Sequence, residues 1–260
     1  MRIAILQAGG DSGEVAPNLE RIADQCARAA REGAQLLMTP EMFLTGYNIG
    51  AARVAALAEP ADGPSATRIA EVAAQHGIAV LYGYPERDGD VVYNAATLVD
   101  SNGETLARYR KCHLYGDVDR EAFSAGDRLV RAEIDGVTLG LLICYDVEFP
   151  EAVRAHALAG AMLVVVPTAL MRPFDFVART LVPARAFENQ IFVAYANRCG
   201  VEGDFEYVGE SLVAAPDGHI VAAAGSSETL LVADLDIDKL QESRRTFSYL
   251  DDRRPNLYRE

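Results

Sequence analysis

The apolar residues of this chain change period repeatedly as it runs, and that alternation restricts the folds open to it. Short apolar runs of strand length are each followed by a stretch with helical spacing. Residues 2–8 predict a buried strand. Residues 17–32 predict a helix, with Leu19, Ile22, Ala23, Cys26 and Ala30 near helical spacing and Gly33 as its stop. Residues 35–39 predict a second strand that ends at Pro40-Glu41. A helix over 65–76, with Ser65 as its N-cap and Gly77 as its stop, precedes a strand over 78–84. The pattern returns later, with strands over 137–144, 162–166 and 191–196. Between them lie helices over 151–159 and 174–188, the second interrupted near Pro183.

Two hairpin signals interrupt this alternation. One joins 93–99 to 105–111 through Asp100-Ser101-Asn102-Gly103. The other joins 210–215 to 219–224 through Pro216-Asp217-Gly218, and a last strand follows over 230–236. Strand–helix–strand units make neighbouring strands parallel, and hairpins make them antiparallel. The two together predict an α/β fold with mixed sheets. More than eight strands predict two sheets packed face to face with helices outside. No Ser/Gly/Pro-rich break, low-complexity tract or short repeat divides the 260 residues. One domain over 1–260 is expected, with 241–260 as a polar C-terminal arm. The halves also echo each other faintly: one strand ends at Thr39-Pro40-Glu41, another at Val166-Pro167-Thr168.

The charge balance removes whole classes of function. Thirty-eight acids face 24 Lys and Arg, a net charge of −14. Nucleic acids and anionic membranes are met by basic surfaces, so neither is an expected partner. The longest apolar run, 157–167, is far short of ~18 residues and contains Gly160, so no membrane span is expected. Cys26, Cys112, Cys144 and Cys199 form no CxxC and no zinc-ligand spacing, so no metal is expected. The N-terminal apolar stretch is broken by Gln7 and has no secretory pattern. A reduced, cytoplasmic protein is the expectation.

Three chemically capable groups stand where apolar strands stop. Glu41 follows Leu36-Leu37-Met38-Thr39-Pro40, Lys111 follows 106–110, and Cys144 follows Leu141-Leu142-Ile143. Ligands bind at the carboxyl ends of strands in α/β sheets. Cys144 stands where a buried strand turns into a helix start. The backbone N–H groups that follow it can lower a thiol pKa or hold an oxyanion. A buried structural cysteine, a helix-capping Glu41 and a solvent-exposed Lys111 are the competing readings. Cys112 points away from Lys111 and is expected to pack. His113 shares the Lys111 face, as a base for Cys144 or as a hydrogen-bonded structural residue.

These segments resemble the motifs of the carbon–nitrogen hydrolase (nitrilase) superfamily. They are Thr39-Pro40-Glu41-Met42-Phe43-Leu44-Thr45-Gly46-Tyr47, Tyr109-Arg110-Lys111-Cys112-His113-Leu114 and Cys144-Tyr145-Asp146-Val147-Glu148-Phe149-Pro150-Glu151. The resemblance spans nearly the whole chain and implies a four-layer α-β-β-α sandwich that dimerises or forms a higher homo-oligomer. It implies a Glu41–Lys111–Cys144 triad and no cofactor or metal. The family's second glutamate falls at Asp119, one methylene shorter, with Glu121 two residues on. Nitrilases of the family carry Cys-Trp-Glu; this chain has Cys-Tyr-Asp and no Trp.

The segment resembles bacterial amidases of small aliphatic or amino-acid amides, some of them R-stereoselective. The implied reaction is hydrolysis of a primary carboxamide to acid and ammonia through a thioester on Cys144. Glu41 serves as base and acid, and Lys111 with the Tyr145 N–H holds the oxyanion. Tyr47, Tyr115, Asp117, Thr168, Ala169, Phe174 and Asn197 are candidate substrate contacts. The alternative on the same triad is a nitrilase or an N-carbamoyl hydrolase, the latter needing a carboxylate anchor such as Arg172, Arg179 or Arg198.

Overall fold

The computed structural model describes residues 1–258. The first part of the chain forms β1 (Arg2–Gln7), α1 (Val15–Arg31), β2 (Leu36–Met38), α2 (Ala51–Leu57), α3 (Pro64–His76), β3 (Ala79–Asp88), β4 (Val91–Val99) and β5 (Thr105–Arg110). The next part forms α4 (Gly116–Arg120), β6 (Val130–Ile134), β7 (Val137–Leu141), a 3-10 turn over Cys144–Glu148, α5 (Pro150–Leu158) and β8 (Leu163–Thr168). A single π turn over Val177–Leu181 runs directly into α6 (Val182–Asn189), and Pro183, which has no N–H to donate back into that turn, lies at the junction. The chain continues through β9 (Phe192–Asn197), β10 (Cys199–Glu202), β11 (Phe205–Val208), β12 (Leu212–Ala214), β13 (Ile220–Ala223), β14 (Thr229–Asp234) and α7 (Ile237–Thr246).

Two six-stranded mixed sheets result, ordered β14-β1-β2-β3-β4-β5 and β13-β12-β9-β8-β7-β6. Each has three parallel strands at its centre, β1-β2-β3 and β7-β8-β9, flanked by antiparallel ones. The helical crossovers account for the parallel centre and the hairpins for the flanks. Ile3, Ile5, Leu36, Met38, Leu81 and Leu98 of the first sheet share one apolar cluster with Leu139, Leu141, Val165 and Phe192 of the second. Val153 and Ala157 of α5 and Ala186 of α6 join that cluster. On the other face of the first sheet, Ala4, Leu6, Leu37 and Val80 pack against Ile22, Cys26 and Ala29 of α1 and Ile69 and Val72 of α3. The layers are therefore α-β-β-α.

Several elements depart from the sequence reading. Ser65 lies inside α3 rather than at its N-cap, which is Gly63. The Ser65 N–H and hydroxyl donate to Glu59 at 2.8 and 2.9 Å, so a carboxylate from outside the helix satisfies its first turn. The segment from Gln241 does not begin as an arm. It continues α7, where Leu240 and Ser243 are buried, and Arg244 donates to the carbonyls of Gln190 (3.3 Å) and Ala161 (3.1 Å). Past Thr246, the rings of Phe247 and Tyr249 lie 5.8 and 5.4 Å from that of Phe187. The last two residues of the expected arm lie outside the described residues. The strands β6, β10 and β11 and the helix α2 had no clear signal.

Candidate active site

Glu41 stands just beyond the end of β2, and its backbone crosses between the sheets. Its N–H reaches the carbonyl of Thr168, at the end of β8, at 3.4 Å. Gly83 of β3 lies directly beneath. A Cβ there would fall 2.7 Å from both Met42 N and Pro40 O, so only glycine admits the loop. Met42 itself has φ +52°, in the left-handed region. The loop is held from below by Arg198, buried, which donates to the carbonyls of Glu41 (3.4 Å) and Met42 (3.3 Å) and pairs with Glu202 at 3.1 Å. Glu202 also accepts from the backbone N–H groups of Tyr47 (3.1 Å) and Asn48 (2.7 Å). Burial raises the Glu202 pKa, but Arg198, the Asn48 N–H and the Ser12 and Tyr207 hydroxyls outweigh it and keep the carboxyl below its usual range.

Lys111 extends from β5 into the same space and is wholly buried. Its Nζ lies 2.7 Å from Glu41 Oε1 and 2.7 Å from Asp119 Oδ2. The shorter carboxylate does reach, because α4 is a single turn that carries Asp119 back over the lysine. Asp119 also accepts from the Tyr47 hydroxyl (2.9 Å) and the Tyr115 N–H (2.8 Å). Asn94 Nδ2 donates to Glu41 Oε1 at 2.7 Å. That leaves Glu41 Oε2 buried and, among the described residues, without a hydrogen-bond partner.

One cation between two carboxylates leaves a net negative charge in a dry place. Burial raises the Glu41 pKa most, Lys111 lowers it and Asp119 raises it again, with a net upward shift. Burial would lower the Lys111 pKa, but the two carboxylates overcome it and hold the ammonium charged.

Cys144 opens the turn after β7 with φ +48°. An L-residue in that region costs roughly 1–2 kcal/mol, so its surroundings must hold it there. Asp146, fully buried, does so. It accepts from Ile143 N (3.0 Å), the Tyr109 hydroxyl (2.8 Å) and His113 N (2.8 Å). Tyr109 and His113 flank Lys111, so this one carboxylate ties the cysteine turn to the lysine strand. Burial pushes the Cys144 thiol up, and the Glu41 charge adds to this. Lys111, the Thr168 hydroxyl and the Ala169 N–H act in the other direction. The net shift is upward, so the resting sulfur carries its proton. Tyr145 is the second residue of the turn, so its N–H has no acceptor within the turn.

The other candidate residues divide. Tyr145 packs edge-on against Tyr115 (5.4 Å) and Phe149 (5.0 Å), and Tyr115 against Phe174 (6.2 Å). Tyr47 and Ala169 are buried together in a small apolar cluster with Met42. Thr168 donates to the Tyr195 hydroxyl at 3.0 Å. Asn197 departs from its expected role. It is fully buried, accepts from Leu170 N (2.8 Å) and donates to Gly209 O (2.6 Å), so its polar atoms serve the backbone. Asp117 is exposed on α4, and Glu121 is exposed beyond it. His113 is not beside the thiol. Its Nδ1 lies 2.7 Å from Asp146 Oδ1 and its ring stacks on Phe149 at 3.9 Å.

None of the three candidate anchors is free. Arg172 pairs with Glu206 (2.9 Å) and Asp175 (2.8 Å), Arg179 pairs with Glu210 and Asp175, and Arg198 holds the Glu41 loop. Asn94, Asp146 and Glu202 were not among the expected site residues, and Arg198 was expected only as a carboxylate anchor. Among the described residues no group of three His, Cys, Asp or Glu is placed to hold a metal ion, and no helix is long and apolar enough to cross a membrane.

A buried acid, a lysine and a thiol held between two mixed sheets define a class of hydrolase, and comparison with known proteins gives its family. The carbon-nitrogen hydrolase profile matches residues 2–245, and the chain belongs to that family. It is 54% identical over 260 residues to a protein of Pseudomonas protegens called "Hydrolase in pqqF 5'region", covering 99% of this chain and 90% of that protein. It is 39% identical to an (R)-stereoselective amidase of a Pseudomonas species, covering 98% and 92% of the two chains. Among solved structures, a double mutant of the amidase from Nesterenkonia sp. AN1 in complex with acrylamide superposes with a TM-score of 0.87. It has 39% identity and covers 99% of this chain and 95% of that one.

Proposed function

We propose that this protein is a thiol amidase that hydrolyses a small aliphatic or amino-acid primary amide to the carboxylic acid and ammonia. The observation that carries the reading is the free Oε2 of Glu41. It is a buried, unpartnered acceptor on a carboxylate whose other oxygen is fixed by Lys111 and Asn94. A carboxylate with a raised pKa is a stronger base, and a protonated thiol beside it needs one.

Glu41 takes the Cys144 proton as the sulfur attacks the amide carbon. The developing oxyanion is held by Lys111 and the Tyr145 N–H. Glu41 returns the proton to the departing nitrogen, which leaves as ammonia, and the acyl group stays on Cys144 as a thioester. Glu41 then takes a proton from water, the hydroxide attacks the thioester, and as the C–S bond breaks Glu41 gives the proton to the sulfur, releasing the acid and restoring Cys144. Asp119 keeps Lys111 charged and oriented. Tyr47, Tyr115, Thr168, Ala169 and Phe174 border the substrate. Asn197 supports them from behind.

The same reading places the protein in a reducing cytoplasm as a homodimer or higher homo-oligomer. Its Cys residues are free, and Leu158, Tyr249 and Leu257 are exposed apolar residues suited to a partner face. Turnover of N-carbamoyl acids is disfavoured, because Arg172, Arg179 and Arg198 are all committed. The test is ammonia release from amides, nitriles and N-carbamoyl amino acids, with Cys144→Ala beside the wild type. Release from amides that falls by a factor on the order of 10⁴ or more in the variant is expected. Release from nitriles alone would overturn the reading.

A further inference from the structure

Glu148 closes the turn that Cys144 opens. Its backbone is immobilised by Arg185, which donates to the carbonyls of Val147 (3.0 Å) and Glu148 (2.8 Å). Arg185 spends its remaining terminal nitrogen on Glu188 at 3.0 Å. Its charge favours the ionised form of Glu148 from a distance, but it makes no ion pair with that carboxylate. Among the described residues that carboxylate has no hydrogen bond and no ion pair, although it is half-buried.

Its position can be triangulated. Lys111, Tyr115 and Tyr195 all lie near the Cys144 sulfur. Tyr115 and Tyr195 also feel Glu148, and Glu148 feels Lys111. The carboxylate thus faces the same space as the sulfur. The Tyr145 and Phe174 rings close on Tyr115 at its edge. Lys111 cannot serve as its counter-ion, because its ammonium is already held between Glu41 and Asp119.

A partly desolvated carboxylate without a partner is costly, and its cost is recovered when a cation arrives. Aromatic faces beside it favour the same visitor. We infer that Glu148 is a specificity-determining residue that binds a protonated amino group on the substrate, so that the preferred amides are cationic amino-acid amides. This rests on the amidase reading and narrows it. Neutral amides of the same shape leave the carboxylate unpaired, and amides with a distal carboxylate meet like charge. Burial raises the pKa of Glu148, and an ammonium bound beside it would hold it ionised.

The test compares kcat/KM for β-alaninamide, its neutral isostere butyramide and the anionic succinamate. In the wild type β-alaninamide is expected to exceed butyramide by about tenfold or more, with succinamate lowest. In Glu148→Gln the ratio of β-alaninamide to butyramide should collapse towards one, through KM for the cation. In Glu148→Arg the order should invert in favour of succinamate. A wild-type ratio near one, or a ratio kept in Glu148→Gln, overturns the assignment. So does an equal fall for all three substrates, which would mark a structural role.

A second readout does not depend on turnover. Protonated n-propylamine should slow alkylation of Cys144 by iodoacetamide in the wild type, and should not in Glu148→Gln. If no amide is hydrolysed, the amidase reading fails by itself, and the alkylation result alone decides for or against Glu148. Where the variants do not fold, the wild-type ratio and the protection by propylamine decide it.

Discussion

The two sheets share a plan but hold their parts of the site by different means. The first sheet and its loops supply Glu41, Asn94, Lys111 and Asp119, all polar or charged, all fully buried and joined by bonds of 2.7 Å. The second supplies Cys144, on a turn held at φ +48°, and Thr168 and Ala169 at the end of β8, none of them charged at rest. The first half is ordered by charge, and the second by backbone conformation. A base that must be ionised gains from a fixed cation. A nucleophile that must stay protonated until attack gains from exact placement without a counter-ion of its own.

This contrast can be broken most severely at Lys111. Lys111→Met removes an oxyanion donor and should cost on the order of 10²–10³ in kcat/KM, read by ammonia release. It also strands two buried carboxylates, so the denaturation midpoint should fall by an amount equivalent to about 3–5 kcal/mol. Full stability in this variant would mean the cluster is not held by charge.

His156 on α5 tests the second half. Its ring is fully buried against Gly140, and neither ring nitrogen has a partner among the described residues. Burial lowers its pKa from 6.5 to about 4, and Arg131 adds to this. The folded state therefore binds fewer protons than the unfolded one below pH 6.5. Stability should fall as pH drops from about 6.5 to about 4, by about 3 kcal/mol in all. Denaturant melts at pH 7 and pH 4.5 should show that part of the loss disappearing in His156→Phe.

Asn94 separates orientation from charge in the first half. Its hydrogen bond lowers the Glu41 pKa, so Asn94→Ala should raise that pKa further. The acid limb of the kcat/KM profile should move to higher pH, so that the loss is largest on the acid side and shrinks as pH rises. An acid limb that stays in place would remove Asn94 from this role.

The smallest effect concerns the strained turn. Cys144→Gly accepts positive φ without penalty and should be about 1 kcal/mol more stable than Cys144→Ala in thermal melts. Equal stability would show that the turn is not strained.

Much of this arrangement could be read from the chain. The apolar runs that end at Glu41, Lys111 and Cys144 are local signals, and so are the Gly and Asp-Gly stops. Even the faint echo between Thr39-Pro40-Glu41 and Val166-Pro167-Thr168 has a counterpart, since Glu41 N meets Thr168 O. What stayed hidden depends on distance. Asn94 looks like any polar residue within a strand until β4 lies beside Glu41. Arg198 and Glu202 act on a loop more than 150 residues earlier. Asn197 ends β9 as Thr168 ends β8, yet tertiary contacts commit its polar atoms to the backbone. Glu59 replaces the expected cap of α3 from outside the helix, which no local rule foresees.

The pairing of β14 with β1 has a consequence for how the molecule comes into being. Arg2 lies opposite Asp234, and the amino group of Met1 donates to the carbonyl of Leu235 at 3.1 Å. β1 is thus completed by a strand that follows it by 232 residues. While the ribosome is still extending the chain towards β14, one edge of β1 has no neighbour, and only the arrival of β14 closes it. Contacts of such long sequence separation form slowly. The nascent chain therefore carries an open strand edge until β14 emerges, and that interval is when holding chaperones would matter to it most.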